Sequence, residues 1–178
     1  MPAPHILVVG GTGMLSGLCE ALAGDGGRLS LLARRASGWG RAPAWAFDCD
    51  YRDAAAFADA VDAAVAEGGP VDLAVAWIHD VRLPANRILA ERVGSARLFQ
   101  VLGSATADPA RPDRLRTAAA VAVGLDCRLR QVVLGFQAEA GRSRWLSDEE
   151  ISQGVLEAIR RDELRAVVGV VEPWSARP

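Results

Sequence analysis

The run Val8-Val9-Gly10-Gly11-Thr12-Gly13-Met14-Leu15-Ser16-Gly17 carries the clearest chemistry in this chain. An apolar stretch ends abruptly in closely spaced glycines, and an amphipathic stretch follows. Glycines at such a turn let the backbone bend tightly and approach a pyrophosphate that no side chain obstructs. The helix start behind them offers free N–H groups and the positive end of a dipole. Gly11-x-Gly13-x-x-Ser16 matches the dinucleotide fingerprint with Ser in the third glycine's place, and so small a residue still allows close helix–strand packing. Gly10, Gly11, Thr12, Gly13, Met14 and Leu15 are the expected cofactor-binding residues, with Thr12, Gly13 and Met14 along the pyrophosphate.

Further candidates follow at the ends of later apolar runs. Leu32-Ala33-Arg34-Arg35 has no acid to accept from ribose hydroxyls. Two guanidiniums there suit a 2′-phosphate, which favours NADP(H) over NAD(H); the alternative is a pair of solvated surface arginines. His79 follows Leu73-Ala74-Val75-Ala76-Trp77-Ile78 and is placed where a buried strand meets the cleft. An imidazole exchanges a proton near neutral pH, so His79 is a candidate catalyst, with a packing role as the alternative. Ser104 is a second catalytic candidate, and Thr106 a candidate for holding a carbonyl or imine substrate; both would otherwise be ordinary loop or cap residues. Arg144 is placed to bind a substrate carboxylate and Trp145 to cover its ring, unless Trp145 is only the hydrophobic staple of the next helix. No G-x-S-x-G elbow surrounds Ser104, which argues against a hydrolase triad with His79 and Asp80.

Composition narrows the classes. The chain has 178 residues, about half of them apolar, enough for one domain with a proper core. A net charge of −2 gives no case for nucleic acid or a membrane surface. All 20 basic residues are Arg, so Schiff-base chemistry and any Lys-assisted step are excluded. Cys19, Cys49 and Cys127 stand at unrelated spacings that match no metal site and fit reduced thiols in a cytoplasmic protein. No signal peptide and no membrane-spanning run is expected.

The elements that must position these residues alternate along the chain. Strands are expected at His5–Val9, Arg28–Ala33, Ala44–Phe47, Val71–Ile78, Arg97–Leu102, Leu129–Phe136 and Leu164–Val171. Helices are expected from Met14 to Ala23, from a cap at Asp53 to Glu67, from Ala85 to Val93 behind Pro84, and from Asp108-Pro109 to about Val123. A last helix runs from the capping box Ser147-x-x-Glu150 to Arg161. Arg142–Trp145 reads as a loop over the substrate end of the cleft, and Trp39 and Trp45 as loop anchors near the two arginines. This alternation means an α/β fold: a Rossmann-like, doubly wound parallel sheet of about seven strands, in one domain over 1–178.

At this point the sequence resembles the short-chain dehydrogenase/reductase superfamily. Gly10-Gly11-Thr12-Gly13 looks like its glycine-rich opening, and Phe47-Asp48-Cys49-Asp50 like its adenine-contacting segment, which implies a cofactor role for Asp48. The chain is also similar, end to end, to a group of short proteins known as short-chain dehydrogenases. That likeness rests on Trp77-Ile78-His79, Leu102-Gly103-Ser104, Arg130 to Phe136, Ser143 to Leu146 and Glu172-Pro173-Trp174. The superfamily's Tyr-x-x-x-Lys pair is missing. Ser104 matches the superfamily's Ser, but Arg116-Thr117-Ala118 stands where the Tyr is expected, and the only Tyr is Tyr51, on the adenine side.

The resulting expectation is a small NADP(H)-dependent reductase acting on a small carbonyl or imine without the usual relay. An imine needs less help from a Tyr acid than a ketone does. The alternatives are a non-catalytic NADP(H)-binding sensor or regulatory module, and a structural partner that has lost the cofactor. A homodimer is the default assembly, because edges of such sheets commonly pair.

Overall fold

The centre of the molecule is a strand with no exposed face. β1 (His5–Val9) is buried throughout, and it pairs in parallel with β2 (Arg28–Ala33) on one side and β4 (Leu73–Trp77) on the other. A strand covered on both faces reads as an unbroken apolar run, which is how His5-Ile6-Leu7-Val8-Val9 reads. Outward from β2 lies β3 (Trp45–Asp48); outward from β4 lie β5 (Arg97–Gly103), β6 (Arg128–Leu134) and β9 (Arg165–Val168). The order is β3-β2-β1-β4-β5-β6-β9, seven strands, every pairing parallel. The structure is a computed structural model and describes residues 3–41, 45–139 and 141–178. Ala44, the expected start of the third strand, lies outside them.

Strand alternation divides the core into two layers. Ile6 and Val8 face one side, where α1 (Ser16–Gly24) and α5 (Asp148–Arg161) contribute Leu18, Leu22, Ile151, Val155 and Ile159. Leu7 and Val9 face the other, where α2 (Ala54–Gly68) and α3 (Pro84–Arg92) contribute Phe57, Val61, Ala85 and Leu89. Burying each such side chain stabilises the fold by about 1.5–3 kcal/mol.

Helix ends follow local chemistry. The Asp53 carboxylate accepts from the N–H groups of Ala55 and Ala56 at 3.1 and 3.0 Å, and Gly69 (φ +78°) ends α2. Ser147 and Glu150 close the capping box of α5, whose first turn is acidic and last turn basic.

Several boundaries shift by a residue or two, and four differences from expectation are instructive. The helix expected from Asp108 to Val123 is mostly absent: the carbonyl of Asp108 accepts from Arg111 N–H and its carboxylate from Ala110 N–H, closing a turn, and Pro112 has no N–H to extend it. Only α4 (Arg114–Ala119) and a 3-10 turn at Ala120–Ala122 follow. The sixth strand stops at Leu134, and Gly135, where a Cβ would strike the Val170 carbonyl, lets the chain pass close to the Val168–Val170 backbone. Phe136 then opens β7 (Phe136–Glu139), which pairs antiparallel with β8 (Arg142–Trp145), so the expected Arg142–Trp145 loop is a strand. The last strand is shorter than Leu164–Val171, ending where Gly169 (φ +73°) turns the chain. Among the described residues, no helix is long and apolar enough to cross a membrane.

Candidate functional site

The chain leaves β1 toward β2 and β3, then crosses back to β4 on the other side of β1. At that reversal the strand ends separate and open a crevice. A cleft of about 560 Å³ lies there. Its floor is Val9, Gly10, Thr12, Gly13 and Met14; its β2 side is Leu32, Ala33, Arg34 and Arg35; Cys49, Tyr51 and Phe57 close one end, and Trp77 and His79 the other.

The glycines divide the work. Gly10 has φ +78°, and a Cβ there would sit 2.8 Å from the Trp77 carbonyl oxygen. Gly11 faces inward, where a Cβ would meet Cys19 Sγ at 2.6 Å and Leu31 Cδ1 at 2.7 Å. Gly13 faces the cleft, and none of the described residues lies within 4 Å of the place its Cβ would take. The expected set is therefore trimmed: Gly11 and Leu15 pack into the core beneath the loop and do not line the cleft. Ser16 N–H, the first of α1, donates to the Gly13 carbonyl at 2.8 Å, but no side chain caps the helix start and no acid stands in its first turn, so the positive end of its dipole faces an anion uncompensated. The loop is held from below, since Ser152 Oγ donates to the Met14 carbonyl at 2.8 Å and a Cβ on Gly17 would touch Ser152 at 3.3 Å.

Arg34 and Arg35 are exposed on the rim and form no ion pair among the described residues. Asp48 does not line the cleft. Its carboxylate accepts from Ser37 Oγ at 2.6 Å and Ser37 N–H at 2.9 Å, and these bonds hold it below the usual carboxylate range. It thus shapes the loop after β2, while Cys49 and Tyr51 take the place at the cleft wall that Asp48 was expected to fill. Trp39 is a loop anchor as expected. Trp45 is not near the arginines: it opens β3 at the opposite end of the sheet, edge-on to His5.

Of the two histidines, His5 is fully buried with Nδ1 at 2.9 Å from the Gly69 carbonyl and Nε2 at 2.8 Å from Ser30 Oγ, a structural role. His79 is exposed at the cleft, its ring centroid 4.6 Å from that of Trp77 at an interplanar angle of 60°. No hydrogen bond orients its ring among the described residues. Asp80 turns away and grips Arg82 at 3.0–3.1 Å, so no carboxylate–imidazole–hydroxyl relay forms. Burial pushes the thiol of Cys19 up to about 12 and that of Cys49 up to about 11, so neither is a thiolate nucleophile at neutral pH.

None of the substrate-end candidates is among the residues that line the cleft. Ser104 is buried and accepts from Arg177 Nε at 2.9 Å. Thr106 Oγ1 donates to the Gly103 carbonyl at 2.7 Å, closing a turn. Arg144, expected to take a substrate carboxylate, is held bidentately by Glu150 at 2.8 and 2.9 Å. Trp145 is no staple: it is half-exposed, with the Arg177 guanidinium over its ring. Sequence reasoning missed Trp77, Cys49, Phe57 and Arg177. Trp77 was within reach, since it ends the strand two residues before His79; Arg177 had no local signal.

No protein-family model and no curated protein matches the chain. Solved structures do. A dehydrogenase/reductase from Sinorhizobium meliloti is 15% identical, with a TM-score of 0.70 over 95% of this chain and 94% of that one. A short-chain dehydrogenase from Burkholderia cenocepacia, solved in complex with NADP, is 15% identical, with a TM-score of 0.68 over 93% and 96%. An actinorhodin polyketide ketoreductase variant, solved with NADPH, is 16% identical, with a TM-score of 0.68 over 94% and 96%. With its parallel seven-stranded sheet and glycine loop at the reversal point, this chain has the fold of the short-chain dehydrogenases/reductases.

Proposed function

We propose that this chain binds NADP(H) in the cleft and acts as a small oxidoreductase, reducing a small carbonyl or imine compound. The observation that carries the reading is one crevice holding both an unobstructed glycine turn at an uncapped helix start and two arginines without carboxylate partners among the described residues. Gly13 and the positive end of α1 fit a pyrophosphate, and Arg34 and Arg35 a 2′-phosphate. Solved neighbours of the same fold with NADP or NADPH support this choice.

The bound nicotinamide supplies hydride chemistry. The residues at that end have separate tasks. Trp77 walls the cleft and limits water, and His79 offers its ring proton to the oxygen or nitrogen that gains an electron pair. An imidazole thereby stands in for the absent Tyr and Lys. Ser104, buried under Arg177, is assigned to fixing that arginine rather than touching substrate. The free cysteines fit a reducing, cytoplasmic setting. The edge strand β9, with Val167 exposed, supports pairing of two copies.

Fluorescence titration with NADPH and NADH tests the assignment. Wild type should bind NADPH at least tenfold more tightly. Arg34→Ala with Arg35→Ala should remove that preference while leaving NADH binding nearly unchanged. Equal loss for both nucleotides would overturn the phosphate assignment, and no binding of either would overturn the function.

A further inference from the structure

Arg177 is the one guanidinium in the described structure that lies over two aromatic rings while a buried hydroxyl fixes its Nε. Its central carbon lies 4.8 Å from the Trp145 ring centroid and 5.2 Å from that of Trp174. Nε donates to Ser104 Oγ at 2.9 Å, and Ser104 is only 6% exposed. Such stacking and hydrogen bonding leave a flexible side chain little freedom. Both terminal nitrogens point to no protein acceptor among the described residues, and no carboxylate pairs with Arg177 there. Arg82, Arg87, Arg92, Arg144 and Arg160, by contrast, each have an acid within 3.3 Å. A fixed guanidinium with two free N–H-bearing ends is a ready fork for a carboxylate.

Its position is at the working end of the sheet. Ser104 follows directly on β5, at the same end as the glycine loop and His79. A Cβ on Gly103 would stand 3.7 Å from Trp77 Cη2, so the Trp77 indole spans from the cleft to the Ser104 shelf. Arg144, next to Trp145 on β8, is consumed by Glu150, and the Arg114 guanidinium is turned to the Ala105 carbonyl.

From this we infer that Arg177, stacked on Trp145 and Trp174 and tied to Ser104, binds the carboxylate of an acidic substrate, so that the substrate class is small oxo or imino acids. This rests on the oxidoreductase reading for its chemistry, but not for its binding test. The indole of Trp145, 47% exposed, offers the apolar surface for the rest of such a molecule.

Isothermal titration calorimetry of the whole chain, with and without NADPH, decides it. The probes are pyruvate, 2-oxobutyrate and benzoate, each against its neutral methyl ester. The acids should bind at least tenfold more tightly than their esters. Arg177→Gln should abolish that difference, and Arg177→Lys should recover only part of it, because an ammonium keeps the charge but loses the fork and the stacking. NADPH affinity should stay within about twofold in both variants. Equal binding of acids and esters, no binding of any acid, or an acid preference that survives Arg177→Gln would overturn the inference. Failure of wild type to bind NADPH would instead overturn the oxidoreductase reading, and carboxylate binding would still be measured in its absence.

Discussion

Trp39 Nε1 donates to Ser16 Oγ at 2.9 Å, tying the loop after β2 to the first turn of α1. Ser16 occupies the third position of the glycine fingerprint, so the residue that departs from the pattern is also the one that receives this bond. Arg34 and Arg35 lie on the tied loop, and the glycine turn lies beside its anchor. Trp39→Phe keeps an aromatic ring, though a smaller one, and removes the donor. The expected result is NADPH affinity several-fold weaker with NADH affinity nearly unchanged, and folding stability lowered by about 1 kcal/mol, the usual net contribution of one hydrogen bond. Equal weakening for both nucleotides would show that the tie serves the glycine turn and not the arginines.

Neighbouring glycines of one loop should fail in different ways. Gly13→Ala adds a methyl group where none of the described residues lies within 4 Å, so the variant should melt at nearly the wild-type temperature. It should nevertheless lose NADPH binding at least tenfold, because the methyl group stands where the pyrophosphate must approach. Gly11→Ala forces a Cβ against Cys19 and Leu31 and should destabilise the fold by about 1–3 kcal/mol, as overpacking does. Thermal melts paired with nucleotide titrations would separate the two. A Gly13→Ala protein that binds NADPH normally would remove the loop from the site.

His79→Ala should leave NADPH affinity within about twofold and lower the rate of NADPH consumption by about 10²–10⁴, the usual contribution of a positioned acid or base. The rate is read against a panel of small oxo acids and cyclic imines. Since no carboxylate orients the ring, His79→Gln should not rescue the rate. Turnover unchanged by either substitution would remove His79 from the mechanism.

The parts of the fold that sequence made legible are those set by local chemistry. The β1 run, the Asp53 and Ser147 caps, and the Gly69 stop lie where expected because each follows from a residue and its immediate neighbours. Asp108-Pro109 misled because one Asp side chain can close a turn as readily as open a helix, and Pro112 decided between them. Partnership across the chain was not legible. Arg144 and Asp48 read as free site residues, yet Glu150 and Ser37, six and eleven positions away, hold them. Arg177 reaches Ser104 across 73 positions of sequence, a contact that only the folded chain creates.

Glu150 links the β7–β8 hairpin to α5, and its titration should show in the acid stability of the protein. Hydrogen bonds from Arg144 and from Ser147 N–H bring its carboxyl from an ordinary 4.5 to about 2. A carboxyl lowered on folding stabilises the fold fully above its unfolded value, and that contribution is lost as pH falls through the folded value. The Tm difference between wild type and Glu150→Gln should therefore be constant from pH 7 to about 5, shrink between about 4.5 and 2, and vanish below. The pair is exposed, so added salt should reduce the difference at neutral pH as well. A Tm gap that persists unchanged at pH 2 would mean that the side chain's packing, and not its charge, holds the hairpin to the helix.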